Sequence, residues 1–521
     1  MPALTIEIPR RWSVAVVALL AILMVILSYL LLLAIAAACV YLPYLALITL
    51  QSFSVPVFLL FVGGVLIAAV LLWSLIPRRD HFNAPGLLLD RSSQPALFQE
   101  IADIAAALNE QIPREVYLLG RPHAFVADRG GFLGFGSRRV MSIGLPLFSV
   151  FTVSELRAVL AHEFAHFYSG DTSLAPWVYR TQTSIVRTFQ NLEGLDNIAG
   201  ANLIRLPMAL VTFIVKHYFI LFLRVIKFIS RKQEFRSDEL ACLIAGRTSG
   251  ISGLEKIQCA TVAWASYWDT EVVPVIALKC LPAIIEGFRL FAHEPTVAAE
   301  LQAALDHQKR SAKTSAYDSH PPLLERIKAM QSIESREIEL DARPALSLLD
   351  QPAVLEQQYI EQMNPRIPKG SLHHVTWTEI GPIVSMLPWR SCIKKYGAHF
   401  TGKSIASLPE LAKKLPEIAV SIPDPKGMLL DRRQRSERGV SVLVAGVGLA
   451  LVKHDWKPQA QPGKFYLHRG SEQLNVSNFV AELLSGKIST KNWLQKCRDL
   501  GIADLPLANS LRNRPDPASP P

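Results

Sequence analysis

Residues 152–166 read TVSELRAVLAHEFAH and combine a helix start with a pair of histidines. The threonine that opens the stretch and the glutamate three residues later form a capping-box pattern, which predicts that a helix begins here. On that helix His162 and His166 share one face, because residues four apart are neighbours, and Glu163 lies beside them. This spacing is typical of a zinc site in which the glutamate serves as a general base.

A third metal ligand is needed, because catalytic zinc takes three protein ligands and keeps one position open for water. The segment 230–241 carries Glu234 and Asp238 four residues apart, so both lie on one face of a predicted helix. Glu234 would complete a His2Glu ligand set, and Asp238 is placed to accept the free N–H of a ligand imidazole. A charged, solvated helix face is the alternative interpretation of this segment by itself.

The sequence resembles the membrane zinc metallopeptidases of the HExxH (gluzincin) type that include the HtpX heat-shock protease and the CAAX prenyl proteases. Glu155–His166 matches the family's zinc helix. Arg231–Ala241 matches its second ligand block, with Phe235 and Ser237 where the family has Tyr and Ala. Ser319–Ile327 matches a His-Pro-Pro block. The resemblance implies a mostly helical zincin-type peptidase domain with one Zn²⁺ per chain.

The resemblance also assigns roles around the cleft. It implies that His320 and Arg326 steady the oxyanion of the tetrahedral intermediate, where negative charge develops on the carbonyl oxygen. A helix start with an exposed ring is the alternative for His320. Asp171, five residues after the second histidine, matches a Gly-Asp pair common after the family's zinc helix, for which we expect a structural role.

A substrate-binding strand is expected at His123, Ala124 and Phe125, where the family often has Asn-Ala-Phe. An extended peptide would pair with this strand through backbone hydrogen bonds. Because that pairing needs only the backbone, the change from Asn to His leaves it intact. The same change alters the side-chain chemistry of the neighbouring subsite.

The N-terminal region carries a membrane signal. From Trp12 to Pro77 there is no Asp, Glu, Lys or Arg, and a helix needs only about 20 apolar residues to cross the hydrocarbon core. We predict a hairpin of Val14–Val40 and Val55–Leu75, with Pro43 and the polar patch Gln51–Ser54 near the break. The run is far longer than the apolar core of a signal peptide, so cleavage at a secretory or lipoprotein site is the weaker alternative.

Basic residues set the expected orientation of this hairpin. Arg10 and Arg11 precede the first span, Arg78 and Arg79 follow the second, and the connecting segment has no Lys or Arg. The positive-inside rule therefore places both ends, and the peptidase domain, in the cytoplasm, with the cell inner membrane as the expected location. Six scattered cysteines without a CxxC pair agree with a reducing compartment.

The net charge of +10 raises the question of a nucleic-acid partner. No recognition motif accompanies the charge, so we predict no nucleic acid and assign the basic surface to anionic lipid headgroups. The predicted partners are membrane lipids and protein or peptide substrates.

The apolar segment Leu206–Ile229 is long enough to span a bilayer, but we predict that it does not. His162, His166 and Glu234 must meet on one side, so the chain between them must cross an even number of times, and a second span needs about 20 further apolar residues. Its basic residues fall in one arc, which favours a helix in the headgroup region. A buried helix of the catalytic domain is the alternative.

The predicted fold is mainly α and has four parts. These are a transmembrane hairpin (1–79), the peptidase domain with a small β-sheet (80–345), a separate C-terminal α+β module of unassigned role (346–510) and a disordered tail (511–521). In the C-terminal module the apolar run Val440–Val452 predicts a buried pair of strands, because thirteen residues are too few to span a bilayer.

These features predict a zinc metalloendopeptidase that cuts membrane or misfolded proteins at the cytoplasmic face, as in protein quality control. Prenyl-protein processing is an alternative, although that branch of the family encloses its site among more spans than this chain offers. A non-catalytic zinc-binding scaffold is a third possibility from a different functional class. The presence of Glu163, Glu234 and both histidines argues against it.

Overall fold

A computed structural model describes residues 12–49, 54–76, 82–130, 136–168, 175–198, 202–311, 320–334, 338–424 and 430–508. Several predictions fall outside these ranges: the flanking arginines Arg10, Arg11, Arg78 and Arg79, the residue Asp171, and the tail 511–521.

The described chain is mainly α-helical with three small sheets, as the sequence predicts. Up to residue 267 its elements are α1 (Trp12–Thr49), α2 (Val55–Leu75), β1 (Leu87–Leu88), α3 (Pro95–Ala107), β2 (Glu115–Leu119), β3 (Ala124–Arg129), β4 (Arg138–Gly144), α4 (Leu147–Val150), α5 (Val153–Tyr168), α6 (Ala175–Ile198), α7 (Asn202–Ala245) and α8 (Arg247–Tyr267).

The remaining elements follow a π-helical turn at Trp268–Val272. They are α9 (Val273–Ala277), β5 (Cys280–Pro282), α10 (Ile284–His293), α11 (Pro295–Ser311), α12 (Leu323–Gln331), α13 (Pro352–Met363), β6 (His373–Val375), α14 (Trp377–Tyr396), α15 (Leu408–Lys413), α16 (Leu415–Val420), α17 (Arg432–Lys453), β7 (Lys457–Gln461), β8 (Lys464–Arg469), β9 (Glu472–Leu474), α18 (Val476–Leu484) and α19 (Thr490–Asp499), with 3₁₀ turns at Ala345–Leu348, Gly397–Phe400 and Ile405–Ser407.

The chain divides into two compact units. The first comprises Met1–Thr261 and Gln302–Pro352, and the second comprises Val262–Leu301 and Ala353–Pro521. The segment Val262–Leu301, predicted as part of the peptidase domain, lies in the second unit. The contacts that hold it there are long-range, so no local sequence pattern reveals them.

In the first unit α1 and α2 form the predicted hairpin. The helices approach so closely at Gly64 that a β-carbon there would lie 1.9 Å from the carbonyl oxygen of Cys39. Of the two features predicted near the break, Pro43 lies inside α1, which continues to Thr49, whereas α2 begins at Val55, directly after Ser54. Helices in an apolar environment tolerate proline when neighbouring groups satisfy the freed carbonyl.

Helices α6 and α7 pack against this hairpin. Ile185 and Leu192 of α6, and Met208, Val211 and Val215 of α7, share one apolar cluster with α1 and α2. The hydroxyl of Ser184 also donates to the carbonyl of Ser74 over 2.7 Å. By length and composition, three described helices (α1, α2 and α7) are able to cross a membrane.

These contacts correct the basis of the prediction for Leu206–Ile229. Two helices, α6 and α7, lie between the ligand blocks instead of one apolar segment, and both pack against the hairpin, although of the two only α7 is apolar enough to cross a membrane. The polar composition of α6 hid it from a search for apolar runs. A helix that lies by itself in the headgroup region does not fit the packing of α7 against α1 and α2.

A four-stranded sheet in the order β1-β2-β4-β3 lies beside the helices of the first unit. Strands β2 and β4 are parallel, and β3 runs antiparallel to β4. The small β-sheet predicted for the peptidase domain is confirmed. Strand β3 therefore forms an edge of the described sheet.

The second unit has a core of α14 and α17 with the meander β7-β8-β9. The prediction of strands at Val440–Val452 is wrong, because this run forms the buried part of α17. A short apolar run with no clear period does not separate a buried strand from a buried helix. Its glycines permit close packing, since a β-carbon at Gly446 would lie 2.6 Å from Phe400 and one at Gly448 2.1 Å from Trp389.

Candidate active site

The start of α5 is fixed by the predicted capping box. The Thr152 N–H donates to Glu155 Oε2 over 2.8 Å, and the Glu155 N–H donates to Thr152 Oγ1 over 3.3 Å. From α8, Ser252 and Lys256 also contact the carboxylate of Glu155, at 2.5 and 2.7 Å. This buried network sets the position of α5 and therefore of the histidines two turns further along.

Three side chains converge where α5 and α7 pack together. His162, His166 and Glu234 each offer one ligand atom, and these atoms lie within 4.8 Å of one another. The donor set of two imidazoles and one carboxylate is one that zinc accepts in proteases. Glu234 Oε2 is buried and makes no hydrogen bond with any described residue, although Arg326 Nη1 and His162 Nε2 lie 3.3 and 3.5 Å away. The residues therefore fit a metal ion.

Asp238 contacts the first of these histidines, His162. His162 Nδ1 lies 3.0 Å from Asp238 Oδ1, so its other ring nitrogen is the one on the side of Glu234. Burial by itself would lower the pKa of His162, but the carboxylates of Asp238 and Glu234 beside the ring outweigh this effect and raise the pKa to about 10. The two carboxylates thus favour positive charge at this position, whether from a proton or from a metal ion.

Arg326 and His320 both lie at this cluster, in different environments. The buried guanidinium of Arg326 donates from Nε and Nη2 to the carboxylate of Asp238, over 2.8 and 2.6 Å. His320 has a side chain that is 64% exposed, and its Nδ1 lies 3.0 Å from Glu234 Oε1. Of the two predicted oxyanion donors, His320 is open to the cleft, whereas Arg326 is engaged with the carboxylates of α7.

Glu163 lines the same cleft as His162 and Glu234, two of the candidate ligands. Burial is the main cause that raises the pKa of Glu163 to about 7, and the charge of Glu234 adds to the effect. A carboxylate with this pKa takes up and releases protons near neutral pH. Burial also lowers the pKa of His166 to about 4, which keeps this imidazole neutral and able to bind a metal ion.

The cleft has a volume of about 430 Å³ and is lined by apolar side chains beside the cluster, among them Val159, Leu254, Ile257, Leu323 and Met330. His123 stands at its rim, directly before the edge strand β3. Within the strand Ala124 is buried and Phe125 is half-buried. Of the three residues of the predicted substrate strand, the structure thus places His123 in the lining of the cleft.

Ser237 is a contact that the sequence analysis did not assign. Its hydroxyl oxygen lies 3.3 Å from His166 Nδ1, and the residue is buried. The only signal in the sequence was its position three residues after Glu234, on the same helical face. Because serine is common on helices that carry no site, spacing by itself did not select it.

Comparison with protein families gives one match for this region. Residues 91–334 match peptidase family M48. This part of the chain is thus similar to an M48 peptidase domain. All the residues that converge in the cleft lie inside this domain.

Relatives of the M48 domain are similar at low identity. The "Protease HtpX" of Psychrobacter sp. is 27% identical over 175 residues, which are 32% of this chain and 56% of that protein. That of Idiomarina loihiensis is 23% identical over 246 residues, 46% of this chain and 72% of the relative. A "Protease HtpX homolog" of Janthinobacterium sp. is 24% identical over 259 residues, 47% of this chain and 73% of the relative. No solved structure matches the chain.

Proposed function

We propose that the protein is a membrane-anchored, zinc-dependent metalloendopeptidase. The observation that carries this proposal is the convergence of His162, His166 and Glu234, with Glu163 in the cleft that His162 and Glu234 also line. Two imidazoles and a carboxylate hold zinc in proteases while leaving a position open for reaction. The M48 match and the names of the relatives support the same chemistry.

Glu163 is the proposed general base. Bound by the three ligands, Zn²⁺ would supply Lewis acidity that polarises the scissile carbonyl and the attacking water. Glu163 accepts the proton that this water loses and passes it to the leaving amine. His320, exposed in the cleft, donates to the oxyanion as charge develops there. We assign Arg326 to positioning, because its guanidinium nitrogens face the carboxylates of Asp238 and Glu234.

The proposed substrates are membrane or misfolded proteins with an extended segment. Edge strand β3 offers backbone groups for such a segment, which would run past His123, Ala124 and Phe125 into the cleft. This mode of binding recognises backbone more than side chains, and it suits a peptidase that acts on many unfolded sequences. Quality control of proteins is therefore the role we favour.

We further propose that the M48 domain faces the cytoplasm from the bacterial inner membrane. The charge-free run Trp12–Pro77 is flanked by arginines on both sides, which supports this orientation. The test is cysteine labelling in sealed vesicles, on a cysteine-free background, with Gln99→Cys on the surface of the domain. Labelling from the cytoplasmic side is expected, and labelling only from the opposite side would reverse the topology.

The decisive experiment on activity uses the purified full chain in detergent with casein as substrate. We expect cleavage that a zinc chelator stops and added zinc restores. Bound zinc without cleavage of casein or any other protein would favour a scaffold. Cleavage restricted to prenylated peptides would favour prenyl-protein processing.

A further inference from the structure

The two candidate ligand histidines have different partners behind them. His162 Nδ1 faces the carboxylate of Asp238 at 3.0 Å, whereas His166 Nδ1 lies 3.3 Å from the hydroxyl oxygen of Ser237. Ser237 is only 1% exposed, so bulk water does not compete for the imidazole from that side. Ser237 and Glu234 are three residues apart on α7, so one turn supplies both a candidate ligand and the partner of another.

The positions of the ring nitrogens define what Ser237 does. His166 Nε2 lies on the side of Glu234, 3.8 Å from its Oε1. An imidazole that binds a metal ion through Nε2 is neutral and carries its proton on Nδ1, so Nδ1 must donate to an acceptor. Ser237 Oγ is within reach to accept it.

We propose that Ser237 is a positioning residue for the metal site. It holds His166 in the tautomer and ring orientation that present Nε2 to the ion. This inference rests on the proposed metallopeptidase function, since it takes His166 to be a ligand. A neutral hydroxyl raises the basicity of the ring less than a carboxylate does, so Ser237 contributes less than Asp238 to metal affinity.

The test measures zinc affinity directly, by competition with a chromophoric chelator on the purified full chain. Loss of an outer partner of a ligand histidine weakens metal binding by about 10–100-fold. We expect Ser237→Ala to raise the zinc Kd by about tenfold, at the low end of this range. Ser237→Thr retains a hydroxyl and is expected to recover most of the loss.

Ser184→Ala is the matched control. It removes a buried hydroxyl from a helix, at a hydrogen bond of 2.7 Å to Ser74 O that is remote from the metal ligands. This variant should bind zinc as the natural chain does. Unchanged melting of chelator-treated Ser237→Ala protein shows that the variant folds.

Two failures are distinguishable. If the natural chain does not bind one zinc ion, the proposed function fails. If it binds zinc and Ser237→Ala binds with the same Kd, only the role of Ser237 is overturned. Equal losses in Ser237→Ala and Ser237→Thr would also overturn it, because the hydroxyl would then not be the cause.

Discussion

Each of the two units holds carboxylates withdrawn from solvent, but their partners differ in kind. In the first unit these carboxylates are Glu234 and Asp238, and in the second they are Glu271 and Glu356. Glu234 and Asp238 meet the imidazoles of α5 and the guanidinium of Arg326. Glu356 accepts backbone N–H groups of Ile284 and Ile285 at the start of α10, over 3.1 and 2.7 Å, and Glu271 accepts that of Gly463 over 3.2 Å.

The difference separates a chemical role from a structural one. Backbone donors at a helix start satisfy a carboxylate without supplying a full positive charge. Burial therefore prevails at Glu356, where it raises the pKa to about 7, and it also raises the pKa of Glu271. In the cleft, by contrast, carboxylates meet imidazole and guanidinium side chains, and this arrangement can hold a cation. A buried carboxylate by itself thus does not indicate an active site. The kind of side chain that contacts the carboxylate does.

The largest effect is expected at Glu163. Changing Glu163→Gln keeps the three candidate ligands but removes the proton acceptor, so kcat/KM for casein should fall by about 10²–10⁴-fold. Zinc content, measured by metal analysis, should stay at the value of the natural chain. Glu356→Gln is the control from the second unit and should leave activity near normal. Turnover of Glu163→Gln at the natural rate would contradict the base assignment.

A substitution of Arg326 tests the carboxylates of the first unit, which have charged side chains as partners. Arg326→Met leaves the buried carboxylate of Asp238 without its bidentate partner, and breaking such a pair costs about 3–5 kcal/mol. Denaturant unfolding of the full chain should show this loss in the first unit. Arg433→Met removes the exposed pair with Glu437, and should change stability by less than about 1 kcal/mol. Equal effects of the two variants would remove the distinction between buried and exposed pairs.

A substitution of Glu356 tests the carboxylates of the second unit, which accept hydrogen bonds from backbone N–H groups. Glu356→Ala leaves two N–H groups at the start of α10 without their acceptor, which costs about 1–3 kcal/mol. The readout is faster hydrogen exchange of the α10 amides in the full chain. Zinc affinity should not change, in contrast to the effect of Glu234→Ala, which should abolish stoichiometric zinc binding. A change in zinc affinity with Glu356→Ala would show that the two sets of carboxylates are coupled.

The last effect concerns pH and is spread over more than two pH units. The pKa of Glu356 is higher in the folded protein, at about 7, than its ordinary value of 4.5. The folded state therefore holds this proton more tightly, and its contribution to stability is complete below pH 4.5 and is lost as the pH rises through 7. Relative to Glu356→Gln, the natural chain should lose stability between pH 5 and 7, by at most about 1.4 kcal/mol per pH unit. A difference that does not vary with pH would show that Glu356 stays ionised.

Local sequence patterns predicted the elements whose formation depends on residues close together in the chain. The capping box and the histidine spacing predicted α5 and its two candidate ligands, and charge-free length predicted the hairpin. Long-range contacts were not accessible in this way. The insertion of Val262–Leu301 into the second unit depends on Trp377, whose indole N–H donates to Ala283 O over 2.8 Å, and on the parallel pairing of β5 with β6.

The candidate site divides along the same line. Glu234 and Asp238 were found because four-residue spacing places them on one face. The engagement of Arg326 with Asp238, and the contact of Ser237 with His166, depend on how α7 and α12 are oriented, which spacing does not determine. The apolar run in α17 was misassigned because a fully buried helix and a buried strand pair have the same composition.

Helix α7 joins two environments through one continuous element. Its 44 residues correspond to a rod about 66 Å long. Val215 packs in the apolar cluster with α1 and α2, and further along the same rod stand Glu234, Ser237 and Asp238. The sequence between Val215 and Glu234 has no glycine or proline that would act as a joint. Because α7 is continuous, a shift of its N-terminal half among the apolar helices would also displace Glu234 relative to the histidines of α5.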